Sequence, residues 1–208
     1  MRTLTTNLLS LTILTGTAAA DPYYTEPSTT LDRMGVALEA GGGVEGFTDE
    51  SMRTTTSDGG NWGVRATIGT KSLLGFEGAY IGSAQSIDAL GLDNDAVLVG
   101  NGVQGALRLN ATTGMELQPF VFAGVAWRHY QIAQADINTS DVQDSDDVLE
   151  VPMGVGLAYK VRGFIVDARG EYRLATENDL MPSLNPTDAN DKASMHRWGV
   201  NANVGVEF

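Results

Sequence analysis

From Met34 to the end of the chain, apolar and polar residues alternate one for one in segment after segment. That period gives a strand two unlike faces. The last segment carries it most plainly: Trp198, Val200, Ala202, Val204, Val206 and Phe208 fall on one face, Arg197, Gly199, Asn201, Asn203, Gly205 and Glu207 on the other. Residues 149–161 repeat it, with Leu149, Val151, Met153, Val155, Leu157, Tyr159 and Val161 against Glu150, Gly154, Gly156, Ala158 and Lys160. In 164–174, Phe164, Val166, Ala168, Tyr172 and Leu174 oppose Asp167, Arg169, Glu171 and Arg173. Five earlier strands are predicted at 34–47, 62–71, 73–84, 97–109 and 117–130. In the last of these Phe120 and Phe122 share a parity with Arg128, while Leu117, Val121, Val125 and Trp127 take the other. A bulge in 117–130 would reconcile the two faces.

Eight strands is an even number, and each is long enough for the roughly 9–11 residues of a tilted transmembrane strand. Connections near Lys71, at 110–115 and at Val161-Arg162 are short; those at 48–61, 85–96, 131–148 and 175–196 are long. Sorting short turns to one end and long loops to the other is what a membrane barrel needs. The fold class is therefore all-β, an eight-stranded antiparallel up-and-down transmembrane β-barrel over 34–208. A soluble lipocalin-like carrier would turn the apolar parity inward instead.

The first twenty residues follow a different rule. Arg2 precedes an apolar run, Leu8 to Leu14, and Ala18-Ala19-Ala20 offers a small-residue cleavage site, the layout of a signal peptide over 1–20. Residues 21–33, with Pro22 and Pro27 and no period, read as an irregular periplasmic lead-in.

Composition narrows the chemistry. Among 208 residues there is no cysteine, which removes disulfide and thiolate chemistry, and a formal net charge of −13 argues against nucleic acid as a partner. The acidic excess sits in the long loops, densest in the third with Asp136, Asp141, Asp144, Asp146 and Asp147. Its spacing fits no calcium-loop motif, so no metal or other cofactor is indicated.

Within the strands the charged side chains share the polar parity, which in a barrel faces the lumen. Glu39, Arg65, Glu77, Arg108, Glu150, Asp167, Arg169, Glu171, Arg173 and Arg197 make an interior charge network, either a closed plug or a gate. Centring one hairpin on Lys71 sets Arg65 opposite Glu77 and Trp62 opposite Tyr80. A turn at Val161-Arg162 sets Glu150 opposite Arg173 and Tyr159 opposite Phe164, all favoured cross-strand partners. Inward glycines, among them Gly63, Gly100, Gly154 and Gly156, leave room for water. Trp62, Tyr80, Trp127, Tyr172 and Trp198 fall at the long-loop end, and Phe76, Tyr159, Phe164 and Phe208 at the short-turn end, as two interfacial girdles would.

On these features the chain resembles the small eight-stranded outer-membrane barrels of Gram-negative bacteria, such as the transmembrane domain of outer membrane protein A and outer membrane protein X. The resemblance implies the bacterial outer membrane as location, with outer-membrane lipid and lipopolysaccharide as surroundings and a monomeric state. The terminal Phe208, preceded by Val206 and Val204, resembles the signal read by the barrel-assembly machinery. The peptidoglycan-binding domain that follows the barrel in outer membrane protein A is not expected here.

Enzymatic barrels need a base with a nucleophile or a paired carboxylate. Only His129 and His196 are available; His129 lacks the spacing of lipid A deacylases, and Ser194 near His196 has no evident acidic partner. No catalytic residue is assigned. The expectation is a non-enzymatic barrel with a structural or surface-interaction role, acidic extracellular loops and a largely plugged interior. The alternatives are a narrow gated ion channel and, third, a surface lipid hydrolase. No extracellular partner is named by the sequence.

Overall fold

A computed structural model describes residues 34–87, 96–133, 145–176 and 194–208. Residues 1–33, with the signal peptide and lead-in, lie outside the described residues, as do most of the second, third and fourth long loops. The described chain forms β1 (Val36–Phe47), α1 (Glu50–Thr55), β2 (Gly59–Ile68), β3 (Leu74–Ser86), β4 (Val97–Asn110), β5 (Leu117–Ala133), β6 (Ser145–Val161), β7 (Phe164–Ala175) and β8 (Arg197–Glu207). Each strand pairs antiparallel with its sequence neighbours, and β1 closes on β8. The expected up-and-down barrel is present.

Its polarity is inside out relative to a soluble protein. Large apolar side chains of every strand are exposed on the outside, while nearly all the strand carboxylates and guanidiniums are buried within. The girdle aromatics named above are all among the exposed side chains. On β7 eight residues separate Phe164 from Tyr172; at about 3.4 Å per residue and a tilt of about 40°, the girdles stand about 21 Å apart, close to the height of a lipid-facing band. Water would leave that belt unsatisfied, so the barrel is a transmembrane one. No helix among the described residues is long and apolar enough to cross a membrane.

Three local expectations are corrected. The β2–β3 register is displaced by two residues: Trp62 faces Gly82 and Arg65 faces Ala79. The connection is wider than expected because Gly69, at φ +91°, leaves the strand early. Its carbonyl then accepts the Ser72 N–H at 3.1 Å. In the β6–β7 hairpin the two turn residues are Arg162 and Gly163, with φ of +50° and +82°, so Val161 faces Phe164, Glu150 faces Ala175 and Tyr159 faces Val166. A two-residue turn of this kind needs positive φ at both positions; Gly163 adopts it freely, whereas a β-branched Val161 there would be strained. Finally, β5 has no bulge. It keeps one offset with β6 from Leu117↔Tyr159 to Gln131↔Ser145, and Phe120, Phe122, Arg128 and Tyr130 all face the lumen.

The first long connection is also partly ordered structure. Asp49 starts α1, its Oδ1 accepting the Met52 N–H at 3.4 Å and its carbonyl the Arg53 N–H at 3.0 Å. That single turn and a half places Met52 in the mouth of the barrel.

Candidate functional site

The lumen is the densest concentration of chemistry-bearing side chains, and it is layered. Nearest the short turns, Glu39 (β1), Arg65 (β2), Glu77 (β3), Arg108 (β4), Asp167 and Arg169 (β7) form a lower tier of three acids and three bases. Glu77 is its hub, reached by Arg169 at 3.0 Å, Arg108 at 3.2 Å and Arg65 at 3.4 Å. Arg169 also pairs with Asp167, which accepts the Asn203 amide at 2.6 Å. Among the described residues Glu39 has no ion pair, and neither of its carboxylate oxygens accepts a hydrogen bond although the residue is 1% exposed.

Nearer the long loops, Glu45 (β1), Arg128 (β5), Glu150 (β6), Glu171 and Arg173 (β7) and Arg197 (β8) form an upper tier, again three acids and three bases. Glu45 takes Arg197 at 2.8 Å and Arg128 at 3.1 Å. Glu150 takes Arg197, Arg173 at 3.2 Å and the Tyr130 hydroxyl at 3.2 Å. Arg173 reaches Glu171 at 3.0 Å and Gln104 at 2.7 Å.

Two of these pairs span the barrel. In a ring of eight strands β1 and β5 lie on opposite sides, as do β3 and β7. Arg128 to Glu45 bridges the first diameter and Arg169 to Glu77 the second, so the two struts run across the lumen at different heights and a quarter turn apart. Between the tiers a small space of about 20 Å³, room for about one water, remains beside β1 and β2, bordered by Gly41, Gly63, Asn61, Arg65, Asn201 and Asn203.

Three of the glycines facing the lumen are covered by rings rather than left for water. Phe120 lies directly opposite Gly156, Phe122 opposite Gly154 and Tyr130 opposite Gly100. A Cβ built on any of the three glycines would come within 2.8 Å of the facing ring. Aromatic side chains thus fill the gaps that glycines leave in the sheet. They also carry the guanidiniums: Arg108 stacks 3.6 Å above the Phe120 ring, and Arg169 lies 5.1 Å from both Phe120 and Phe122.

Other contacts gather at the two ends. At the long-loop mouth Phe47, Met52, Ile87, Ala96, Leu98, Tyr130, Val148 and Met195 form one buried apolar cluster above the upper tier. At the short-turn end Lys160 donates to the Thr70 carbonyl at 2.5 Å and to Glu207 at 2.8 Å. Gln118 there donates to Thr112 at 2.7 Å and Thr70 at 3.1 Å, stitching neighbouring turns together.

All ten residues of the expected network are buried in the lumen. The pairs Arg65–Glu77 and Glu150–Arg173 form as expected, but diagonally, because long side chains reach across the two-residue displacement. The network also contains Glu45 and Arg128, which sequence reasoning missed. Glu45 shares the parity of Glu39 on one strand and was within reach of the alternation. Arg128 was hidden by Phe120 and Phe122, whose inward rings break the rule that apolar means outward. Val204 and Val206 point to the outside, and the exposed Phe208 closes β8, its N–H donating to Val36 at 2.8 Å.

The histidines are at the rim. His196 Nδ1 accepts the Ala175 N–H at 3.0 Å, which leaves the neutral ring its proton on Nε2 and unsuits that nitrogen as a base. Ser194 Oγ faces the His196 backbone N–H at 3.4 Å rather than the ring. His129 Nδ1 meets Asp147 at 2.8 Å on the outer face.

No family model and no curated protein sequence matches the chain. Solved structures do. The N-terminal β-barrel domain of Pseudomonas aeruginosa OprF aligns with a TM-score of 0.55 at 17% identity, covering 85% of this chain and 98% of that one. Neisserial surface protein A gives 0.53 at 14% identity, covering 84% and 96%. Ail, the attachment invasion locus protein of Yersinia pestis, gives 0.51 at 11% identity, covering 85% and 99%. In architecture, strand number and closure, the chain has the fold of the small eight-stranded outer-membrane β-barrels.

Proposed function

We propose that the protein is a non-enzymatic barrel of the bacterial outer membrane whose lumen is a permanent plug and whose long acidic loops work outward, in a structural or surface-interaction role. In this reading residues 1–20 export the chain, 21–33 lead into the barrel on the periplasmic side, and the Val204–Val206–Phe208 terminus guides assembly. The carrying observation is the pair of diametric struts, Arg128–Glu45 and Arg169–Glu77, crossing the lumen at two heights. Each strut is held at both ends by further ion pairs, so opening one requires separating several buried charges together, a change of several kcal/mol. The geometry of His196 and Ser194 speaks against the hydrolase alternative.

Conductance across a planar bilayer tests the plug. Protein whose folding is verified by heat-dependent gel mobility is expected to leave the bilayer silent, and the doubly truncated Glu45→Ala/Glu77→Ala variant to conduct. Discrete openings by the unaltered protein would overturn the plug and establish the gated channel, with the space beside Arg65 as its narrow part.

A further inference from the structure

One row of side chains on the lipid-facing wall is neither apolar nor part of the lumen. Pairing from β2 to β6 puts Trp62, Gly82, Asn101, His129 and Asp147 in a single register line around the outside of the barrel. Trp62 packs over Gly82, with its indole atoms where a Cβ would be, and the residue is 44% exposed. Tyr80, just below, donates its hydroxyl to Asn101 Oδ1 at 2.9 Å, which leaves the Asn101 amide N–H groups for an outside partner. His129 is held through Nδ1 by Asp147 at 2.8 Å, which leaves Nε2 and the second Asp147 oxygen on a side-chain pair that is 42% and 60% exposed. The row stands at the height of the upper girdle, where lipid headgroups begin.

We propose that this row binds the sugar headgroup of a glycolipid in the outer leaflet. The inference rests on the transmembrane reading above and adds a ligand to it. Hydroxyl groups both donate and accept, and the row offers both: amide donors from Asn101, a ring nitrogen from His129, and an acceptor-only carboxylate oxygen from Asp147. A phosphate oxygen facing that carboxylate would be repelled, so the lipid's phosphates are not what the row selects. The partly exposed indole of Trp62 supplies the amphipathic platform on which a sugar ring lies, apolar C–H groups down and hydroxyls toward the polar row. The ligand is anchored by its acyl chains against Val64, Val103 and Val125 of the belt below, exposed residues of β2, β4 and β5.

The experiment refolds the full chain in micelles carrying equimolar monoglucosyl diacylglycerol, phosphatidic acid and phosphatidylcholine with identical acyl chains. Native mass spectrometry then reads which lipid stays bound. The glucosyl lipid is expected to be retained in preference to both others. Asn101→Leu and His129→Phe are each expected to lower that preference about threefold or more, the worth of one partly exposed hydrogen bond, whereas Gln131→Leu on the same face leaves it unchanged. Equal retention of the three lipids, preference for phosphatidic acid, or a glucosyl preference that survives both substitutions would overturn the proposal. Failure of the unaltered chain to show the folded gel mobility in lipid would instead overturn the membrane reading on which it rests.

Discussion

Glu77 is the most connected carboxylate of the lower tier, and its removal tests whether the lumen is one network or a collection of separate pairs. It is 1% exposed and touches three guanidiniums between 3.0 and 3.4 Å. Truncating one partner of a buried ion pair typically costs about 3–5 kcal/mol, because the surviving charge is left without compensation. Here three arginines survive, and the tier retains Asp167 and Glu39. Since Glu39 is unpaired in the native tier, it is the carboxylate free to take up a released guanidinium, which places Glu77→Ala at the lower end, about 3 kcal/mol. The same logic fixes the partner variant. Glu39→Ala alone removes a buried carboxylate that makes no hydrogen bond, so stability is expected to stay within about 1 kcal/mol or rise. In the Glu77→Ala background the same change removes the only relief and costs about 1–3 kcal/mol more than it does alone. Urea titration of vesicle-inserted protein, followed by tryptophan emission, reads all four corners of the cycle, because Trp62, Trp127 and Trp198 all lie on the exposed outer face. A loss below about 1 kcal/mol for Glu77→Ala, or additivity of the two changes, would refute the network.

Three further outcomes follow from other parts of the structure. Val125 stands midway along β5 on the lipid face, so Val125→Arg is expected to cost about 2–4 kcal/mol of folding stability in vesicles, and an unchanged midpoint would mean that this face does not meet hydrocarbon. Gly163→Val places a β-branched residue at φ +82° and is expected to lose about 1–3 kcal/mol by the same titration, with no loss indicating that the hairpin re-registers to a turn at Val161-Arg162. Met52→Glu buries a carboxylate in the apolar mouth cluster; it is expected to make the 48–58 connection protease-sensitive while the heat-dependent gel shift persists, and undiminished resistance would count against that closure.

The barrel was legible because its two solvents impose the shortest period a chain can show. Every second residue meets lipid, and a single charge there costs kilocalories, so the outward parity of Trp198 to Phe208 or Leu149 to Val161 is written without exception. The lumen is under no such rule. It tolerates whatever fills space and satisfies its neighbours, so Phe120 and Phe122 sit there beside arginines and blurred the parity of β5. The glycines opposite them are intelligible only once register is known. Register was the weaker inference because both hairpins hinge on where a glycine leaves the strand, at Gly69 and Gly163, and opposite charges two residues out of line still meet through long side chains. The apolar mouth was beyond reach of the alternation altogether, since Met52, Ile87 and Met195 come from three different connections.

The arrangement of charge is the reason we place the proposed function on the outside. Each tier balances three carboxylates with three guanidiniums, so neither tier has a net charge with which to attract an ion, and the two struts cross the lumen at different heights. The formal charge of −13 therefore cannot reside in the barrel's packed interior; it belongs to the connections on the long-loop side and the segment before the barrel. A neutral, cross-braced interior stiffens a wall against lateral pressure, whereas a net negative charge carried by the connections projects a field about a Debye length, near 8 Å, into the surrounding solution. In the proposed orientation a molecule arriving from the long-loop side meets that field first, and an anionic partner would have to bring cations with it.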